Sequence, residues 1–213
     1  MVSLRARAGL EIGLVYAALE GALWTLGRTR SWFGIAAAVL ILLFTLTGKR
    51  SWTALGLDVR RIVCGWWVAP AGVGVAALIL LAGHFASTFH GLAGRPLAWS
   101  ALGYPIWALV QEFIAQGYFF VRFEAVLGGS RAVLATAALF AIAHIPNPVL
   151  VPVTLGGGLV LSELFRRYRT IYLLAVAQIV VALSLAAAVP NHAVRDMRVG
   201  AGYVRYSRTH ALR

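Results

Sequence analysis

Seven apolar segments account for most of the chain, and they limit its fold more than any other feature. About twenty residues of helix cross the hydrocarbon of a bilayer, and backbone groups in lipid must be satisfied within the protein. Runs of this kind predict membrane helices, although the second, fifth and sixth are short enough to be tilted or partly re-entrant. The segments lie at roughly 9–26, 32–47, 64–84, 101–122, 131–145, 149–165 and 170–189.

The composition favours the same class of protein. Hydrophobic residues make up 61% of the 213 residues and charged residues only 12%, whereas a soluble domain carries about 25% charged residues. We therefore predict an all-α, polytopic membrane bundle of about seven transmembrane or partly re-entrant helices, in one domain covering residues 1–213. Such a chain is expected to be a multi-pass protein of a bacterial-type plasma membrane.

The formal net charge of +12 points to lipid as a partner. Its basic residues lie mainly between or beyond the apolar runs, as expected for contacts with anionic headgroups. No basic stripe carries interleaved stacking aromatics, which argues against a nucleic-acid partner. Cys64 is the only cysteine, so the chain has no intrachain disulfide and no thiolate metal cluster. Glu163 is expected to pair with Arg166 or Arg167, three and four residues further on.

Glu112 is the first candidate functional residue, because it lies near the middle of the fourth apolar run. An ionisable group at that depth costs at least a few kcal/mol, faces a protein interior or a watery cavity, and marks a functional site by default. On a helix, Gln116 shares the face of Glu112. Gln111 lies about 100° away around the same helix.

Two further polar residues lie in later apolar runs. His144 ends the fifth run in the pattern Phe140-Ala-Ile-Ala-His144. Short connections make this helix a neighbour of the fourth, so a pair between Glu112 and His144 is expected. Gln178 lies near the middle of the seventh run, either as a simple interhelical hydrogen bond or as a donor to an oxyanion. Asn147, between two prolines, either marks the helix break or hydrogen-bonds near the site.

Together these residues suit the addition of water to a carbonyl group. A buried carboxylate can act as general base on water, and histidine and amide groups can stabilise the resulting oxyanion. Metal catalysis is the weaker alternative, because a zinc site usually needs three protein ligands and only Glu112 and His144 are available in the interior. No cofactor is therefore predicted.

At these positions the chain resembles the CPBP family (CAAX protease and bacteriocin-processing, or Abi-type) of intramembrane proteases, over about residues 100–190. That family carries a glutamate pair followed by arginine on one helix, Phe-x-x-x-His on the next and His-x-x-x-Asn on a later one. The second motif is intact here. In the first motif, Gln111 stands in place of the family's first glutamate and Gln116 in place of its arginine. In the third motif, Gln178 stands in place of the histidine and Ala182 in place of the asparagine.

The resemblance implies an intramembrane endopeptidase. Its substrate would be a membrane-associated protein, or a prenylated or C-terminal tail. Glu112 would activate water and His144 would position it, with support from Gln111, Gln116, Gln178, Phe140 and Asn147. An amide cannot replace a carboxylate base, so a second hypothesis is a catalytically inactive relative that binds or escorts a membrane partner. A third is a small transporter, for which the chain lacks two matching halves.

Overall fold

The computed structural model describes residues 4–92 and 102–210, and every regular element in these ranges is helical. The order is α1 (Leu4–Trp24), α2 (Gly27–Thr47), a 3-10 helix (Val59–Gly65), α3 (Val68–Phe85), α4 (Tyr104–Glu112), a π-helical segment (Phe113–Phe120), α5 (Val121–Leu127), α6 (Gly129–Ile142), α7 (Leu150–Tyr168), α8 (Tyr172–Ala188), α9 (Asn191–Val194), a 3-10 turn (Arg195–Met197) and α10 (Gly200–His210).

Neighbouring helices in the sequence form hairpins, and a third pair joins distant parts of the chain. The hairpins are α1 with α2 and α6 with α7, whereas α3 lies beside α8. The pair α3 and α8 is parallel, since Gly72 meets Ala177 and Gly83 meets Ala188. Helix α4 packs on α8, and α5 packs on α1 and α6. The all-helical prediction is therefore confirmed for the described residues.

The described helices are longer than several of the apolar runs that predicted them. Helix α2 begins at Gly27, and α7 extends to Tyr168. Two helices of the described residues, α2 and α3, are by themselves long and apolar enough to cross a membrane, whereas α6 and α8 are shorter apolar helices. Residue 101, the predicted start of the fourth run, lies outside the described residues, but the helical path continues past Arg122 to Leu127.

Close helix packing depends on particular glycines. A Cβ atom on Gly72 would lie 2.8 Å from the Cβ of Ala177, so only glycine allows α3 and α8 to approach this closely. A Cβ on Gly158 would lie 3.2 Å from the Cβ of Ala137 on α6. Gly156 and Gly157 have nothing within 4 Å of such an atom. One of the three consecutive glycines therefore serves the close packing, and the other two face open space.

The π-helical segment lies at the centre of the bundle. Tyr118 and Phe119 pack in a buried cluster with Val15 of α1 and Ile41 of α2. Phe120 belongs to a second buried cluster, with Phe165 of α7 among others. Adjacent residues of one helical turn thus pack into two different buried clusters. Because both clusters must be filled at once, these contacts fix the rotation of this helix about its axis.

A buried ion pair anchors the end of this central helix. Arg122 is 1% exposed, and its Nε donates a 2.7 Å hydrogen bond to Oε2 of Glu11 on α1. The other guanidinium nitrogens donate to the carbonyl oxygens of Tyr118 and Phe44. The guanidinium also lies 3.6 Å from the centroid of the Tyr118 ring. Helices α1, α2 and α5 are therefore tied together through one side chain.

Candidate functional site

A cavity of about 1100 Å³ opens between the helices. Its walls come from α1, α2, α3, α4, the π-helical segment, α6, α7, α8 and the C-terminal segment, and most of the lining is apolar. The lining also contains positions from all three family-like motifs, carried by three different helical regions. These positions are Gln111, Phe140, His144, Gln178 and Ala182. The distant motifs of the sequence thus meet in one place.

His144 lies in the turn that follows α6 and is partly buried. Its Nδ1 lies 2.7 Å from the carbonyl oxygen of Phe140, one helical turn earlier. A carbonyl oxygen can only accept, so Nδ1 carries the hydrogen, and the neutral ring keeps its lone pair on Nε2. The Phe140 ring packs edge-on against the imidazole, with the two centroids 4.7 Å apart. This motif therefore fixes both the tautomer and the orientation of His144.

Two amide side chains meet on another wall of the cavity. Nε2 of Gln178 donates a 3.0 Å hydrogen bond to Oε1 of Gln111, which joins α8 to α4. Oε1 of Gln178 is buried and has no hydrogen-bond partner among the described residues. Each amide contains both a donor and an acceptor. The pair can therefore offer hydrogen bonds of both kinds to a ligand.

Glu112 lies outside the lining of this cavity, although it directly follows Gln111. Its side chain is 2% exposed, and its Oε2 has no hydrogen-bond partner in the part of the chain that the structure describes. Gln116, also 2% exposed, lies within hydrogen-bonding reach of the carboxyl group. Within residues 4–92 and 102–210, no hydrogen bond or ion pair joins Glu112 to His144. The expected direct pair of acid and imidazole is therefore absent from this arrangement.

Asn147 is fully buried and holds the chain after His144. Its Nδ2 donates to the carbonyl oxygens of Val194 and Arg198, at 2.8 and 3.1 Å. Its Oδ1 accepts from the backbone nitrogens of Val149 and Leu150 at the start of α7. These four bonds use both donors and both acceptor positions of the amide. The structure thus places Asn147 between the α6–α7 turn and the C-terminal segment, away from the cavity lining.

Several cavity residues come from parts of the chain that were not predicted to belong to the site. Tyr16 of α1 and Arg30 of α2 line the cavity, as do Met197 and Val199 of the C-terminal segment. Hydropathy marks Tyr16 only as part of an apolar run, and nothing local in the sequence brings residue 197 near residue 144. No Asp or Glu of the described ranges contributes to the lining.

The residues available for a metal ion are also few. Across the two described ranges, no three His, Cys, Asp or Glu side chains come together as metal ligands would. Among the described residues that line the cavity, the imidazole of His144 and the phenol of Tyr16 are the side chains best suited to bind a metal ion. What the cavity wall offers at the motif positions is an imidazole and two amides, which can bind a peptide group through hydrogen bonds.

Comparison with known proteins supports the resemblance of the motifs. Residues 93–184 match the family described as type II CAAX prenyl endopeptidase Rce1-like, a region that is less than half of the chain. No curated protein matches the chain, and no solved structure does. The description of the matched family is that of a prenyl endopeptidase, so this part of the chain is similar to a family of CAAX-type proteases.

The matched region contains α4 to α7 and most of α8, together with the three motif positions that line the cavity, Gln111, His144 and Gln178. The match is consistent with the resemblance to the CPBP family of membrane proteases, and residues 93–184 of this chain are similar to the Rce1-like family.

Proposed function

We propose that this chain binds a membrane-associated peptide or protein tail in the large cavity, beside Gln111, His144 and Gln178. The observation that carries the proposal is the meeting of these three motif positions, from α4, the α6–α7 turn and α8, in the wall of one cavity. Its volume of about 1100 Å³ exceeds that of a typical small-ligand pocket, which is about 300–1,000 Å³. A peptide segment with an apolar or prenylated side chain would suit this space.

The chemistry of the wall supports a peptide ligand. A peptide that leaves water must find partners for its N–H and C=O groups, and each unpaired group costs several kcal/mol in hydrocarbon. The Gln111–Gln178 pair and Nε2 of His144 offer donors and acceptors at one place in an otherwise apolar lining. The apolar remainder of the wall can take side chains or a lipid group. This division between polar and apolar contacts is typical of ligand cavities.

Hydrolysis of the bound peptide is the second candidate. In it, Glu112 would act as general base on water, without a metal, the lone pair on Nε2 of His144 would accept a hydrogen bond from that water and position it, and the amide N–H groups would stabilise the oxyanion. The observation that favours it is the orphaned Oε2 of Glu112, a buried carboxylate directly after a residue of the cavity wall. The candidate requires Glu112 to turn towards the cavity.

The π-helical segment offers a route for that rotation. It begins at Phe113, directly after Glu112, and α5 is anchored by Arg122. A π-turn contains one more residue than an α-turn, and such turns occur frequently at functional sites. The extra residue of the π-turn now lies between residue 111 and α5. If it moved to the N-terminal side of residue 111, the helix between the cavity wall and α5 would contain one residue fewer. Glu112 would then stand where Gln111 stands now. Binding without hydrolysis remains the function that the present geometry supports best.

Membrane placement completes the proposal. We propose a single domain over residues 1–213 with about seven spans, in contact with membrane lipids, in a bacterial-type plasma membrane. Support comes from the exposed apolar side chains on the outer faces of α2 and α3, such as Leu42 at 59% and Leu78 at 67% exposure. Apolar surfaces of this extent suit lipid rather than water.

The test uses purified protein in nanodiscs with a fluorescent, prenylated peptide that carries a free C-terminus. Binding and cleavage are measured separately, for the wild type, Glu112→Gln and His144→Ala. The binding proposal expects saturable binding that Glu112→Gln leaves intact and His144→Ala weakens. Cleavage that Glu112→Gln abolishes would establish the hydrolysis candidate instead. Absence of binding in all three proteins would overturn the proposal.

A further inference from the structure

A second, smaller cavity adjoins the large one at the end of the bundle where the C-terminal segment crosses it. Its volume is about 310 Å³, and it is lined by Leu23, Arg30, Met197, Arg198, Val199 and Gly202. Four of these residues, Leu23, Arg30, Met197 and Val199, also line the large cavity. The two spaces therefore share a wall, and Arg30 borders both.

The two arginines of the small cavity have little negative charge near them. Arg30 lies in the first turns of α2 and has no ion pair or hydrogen bond within the described residues. Arg198 forms one ion pair within the described residues, with Asp196 at a distance of 3.8 Å, and the Arg198 side chain is 48% exposed. A pair of that length and exposure contributes at most about 1 kcal/mol. The guanidinium of Arg198 also lies 4.8 Å from the centroid of the Tyr206 ring, which orients it without neutralising it.

The backbone that carries Arg198 is held firmly in place. The carbonyl oxygen of Arg198 accepts from Nδ2 of Asn147, and the nitrogen of Gly200 donates to the carbonyl oxygen of Ile145. Gly200 has a φ of 54°, and a Cβ there would lie 2.3 Å from the carbonyl oxygen of Leu23. Glycine is thus the residue that lets the C-terminal segment cross the end of α1. These contacts fix Met197, Arg198 and Val199 at the border of both cavities.

The turn before Arg198 adopts an unfavourable backbone conformation. Arg195, Asp196 and Met197 have φ values of 47°, 53° and 59°, in the left-handed region that non-glycine residues rarely occupy. Each such residue costs of the order of 1 kcal/mol or more, and strain of this kind clusters at ligand-binding sites. The strained turn presents Met197 to the apolar cavity and Arg198 to the basic one.

We propose that Arg30 and Arg198 bind the free C-terminal carboxylate of the peptide whose apolar part occupies the large cavity, an inference that rests on the function proposed above. Both arginines lie outside the family-like residues 93–184. A carboxylate matches the planar guanidinium group in charge and shape, and its hydrogen bonds are charge-assisted.

Size also favours the end of a peptide as the occupant. The 310 Å³ of the small cavity is about the liquid volume of ten water molecules, at about 30 Å³ each. That space suits a terminal carboxylate with its own residue. A phosphate on a lipid headgroup has related chemistry and could pair with the same arginines at the membrane surface, so the experiment must distinguish the two sources.

The experiment compares two peptides that are identical except for a C-terminal carboxylate or a C-terminal amide. Dissociation constants are measured in nanodiscs of neutral lipid, for the wild type, Arg30→Gln, Arg198→Gln and the double variant. Arg28→Gln and Arg205→Gln are matched controls, because these nearby arginines line neither cavity. The wild type and both controls should prefer the carboxylate by about tenfold or more, as expected for hydrogen bonds between charged groups. The double variant should bind both peptides equally.

Each other outcome overturns a defined part of the account. Equal binding of both peptides by the wild type, or an undiminished preference in the double variant, would overturn the carboxylate site while leaving the proposed function intact. Loss of the wild-type preference in bilayers rich in phosphatidylserine would assign the arginines to lipid phosphate and also overturn it. Failure of the wild type to bind either peptide would overturn the proposed function itself.

Discussion

Gln178 on α8 donates a hydrogen bond of 3.0 Å to Gln111 on α4, and both side chains line the large cavity. These are the positions at which the CPBP family resemblance implies a histidine and a glutamate. An amide pair keeps the two helices joined and keeps the wall polar, but neither amide can take a proton from water near neutral pH. The cavity thus offers polar groups that can bind a peptide, while its wall, as far as the described residues form it, contains no carboxylate base.

Restoring a carboxylate at position 111 should create or increase peptide cleavage. In Gln111→Glu the acid would stand in the cavity wall, together with His144. General-base catalysis contributes typically 10²–10⁴-fold to a rate, so cleavage of the bound prenylated peptide should rise by about that factor. Gln111→Met is the matched control, since it keeps the length of the side chain without a basic group. Unchanged cleavage in a Gln111→Glu protein that still binds peptide would contradict the proposed role of this position.

Thiol labelling should show that residue 111 is accessible from the cavity and that residue 112 is not. On a Cys64→Ser background, Gln111→Cys should react rapidly with a small membrane-permeant maleimide, because residue 111 lines the cavity. Glu112→Cys should react slowly, as should the control Gln116→Cys, since both native side chains are 2% exposed. Equal reactivity at 111 and 112 would mean that the helix changes its register, and would favour the hydrolysis candidate.

Loss of Arg122 should destabilise the whole bundle. Arg122→Met would leave the buried Glu11 with only its second partner, the half-exposed Arg7 at 2.8 Å, and losing one partner of a buried ion pair costs up to about 3–5 kcal/mol. Thermal unfolding in detergent should show a large drop in the midpoint, whereas Arg131→Met, at an exposed position, should change it little. The double variant Glu11→Leu/Arg122→Met should recover much of the loss, because it removes both charges. A single variant as stable as the wild type would refute the anchoring role.

Two glycines of α3 should respond differently to the same substitution. Gly72→Leu would force a side chain against Ala177, where even a Cβ would be only 2.8 Å from the neighbouring Cβ. Overpacking of this kind costs about 1–3 kcal/mol or more. Gly74→Leu is the control, since nothing lies within 4 Å of its added Cβ. Equal unfolding midpoints for the two variants would show that α3 and α8 are not packed as described.

Local patterns in the sequence predicted local structure well. The expected pairing of Glu163 is confirmed, with Arg166 at 2.7 Å and Arg167 at 2.6 Å. These contacts depend only on helical spacing, which the sequence contains directly. The break between Ile142 and Leu150 likewise agrees with Pro146 and Pro148, which disfavour continued helix.

Contacts between distant residues could not be predicted in the same way. Glu11 and Arg122 are separated by 111 positions, and no periodicity relates them. The directions in which the Gln111 and Glu112 side chains point depend on the rotation of the central helix about its axis. The core contacts of the π-helical segment determine that rotation. Hydropathy does not distinguish a π-turn from an α-turn. For this reason the sequence indicated which helices place polar residues at the cavity, but not which of the two adjacent side chains lines it.

The central claim is that the large cavity receives the peptide, and filling the cavity tests it most directly. Ala182→Trp would place a large side chain in the cavity wall on α8, whereas Val176→Trp adds the same group to a position of α8 that is 41% exposed and outside the lining. The dissociation constant for the prenylated peptide in nanodiscs is the quantity to measure. We predict that Ala182→Trp raises it by about tenfold or more, a loss of about 1.4 kcal/mol, and that Val176→Trp leaves it unchanged. Wild-type affinity in a folded Ala182→Trp protein would contradict the account.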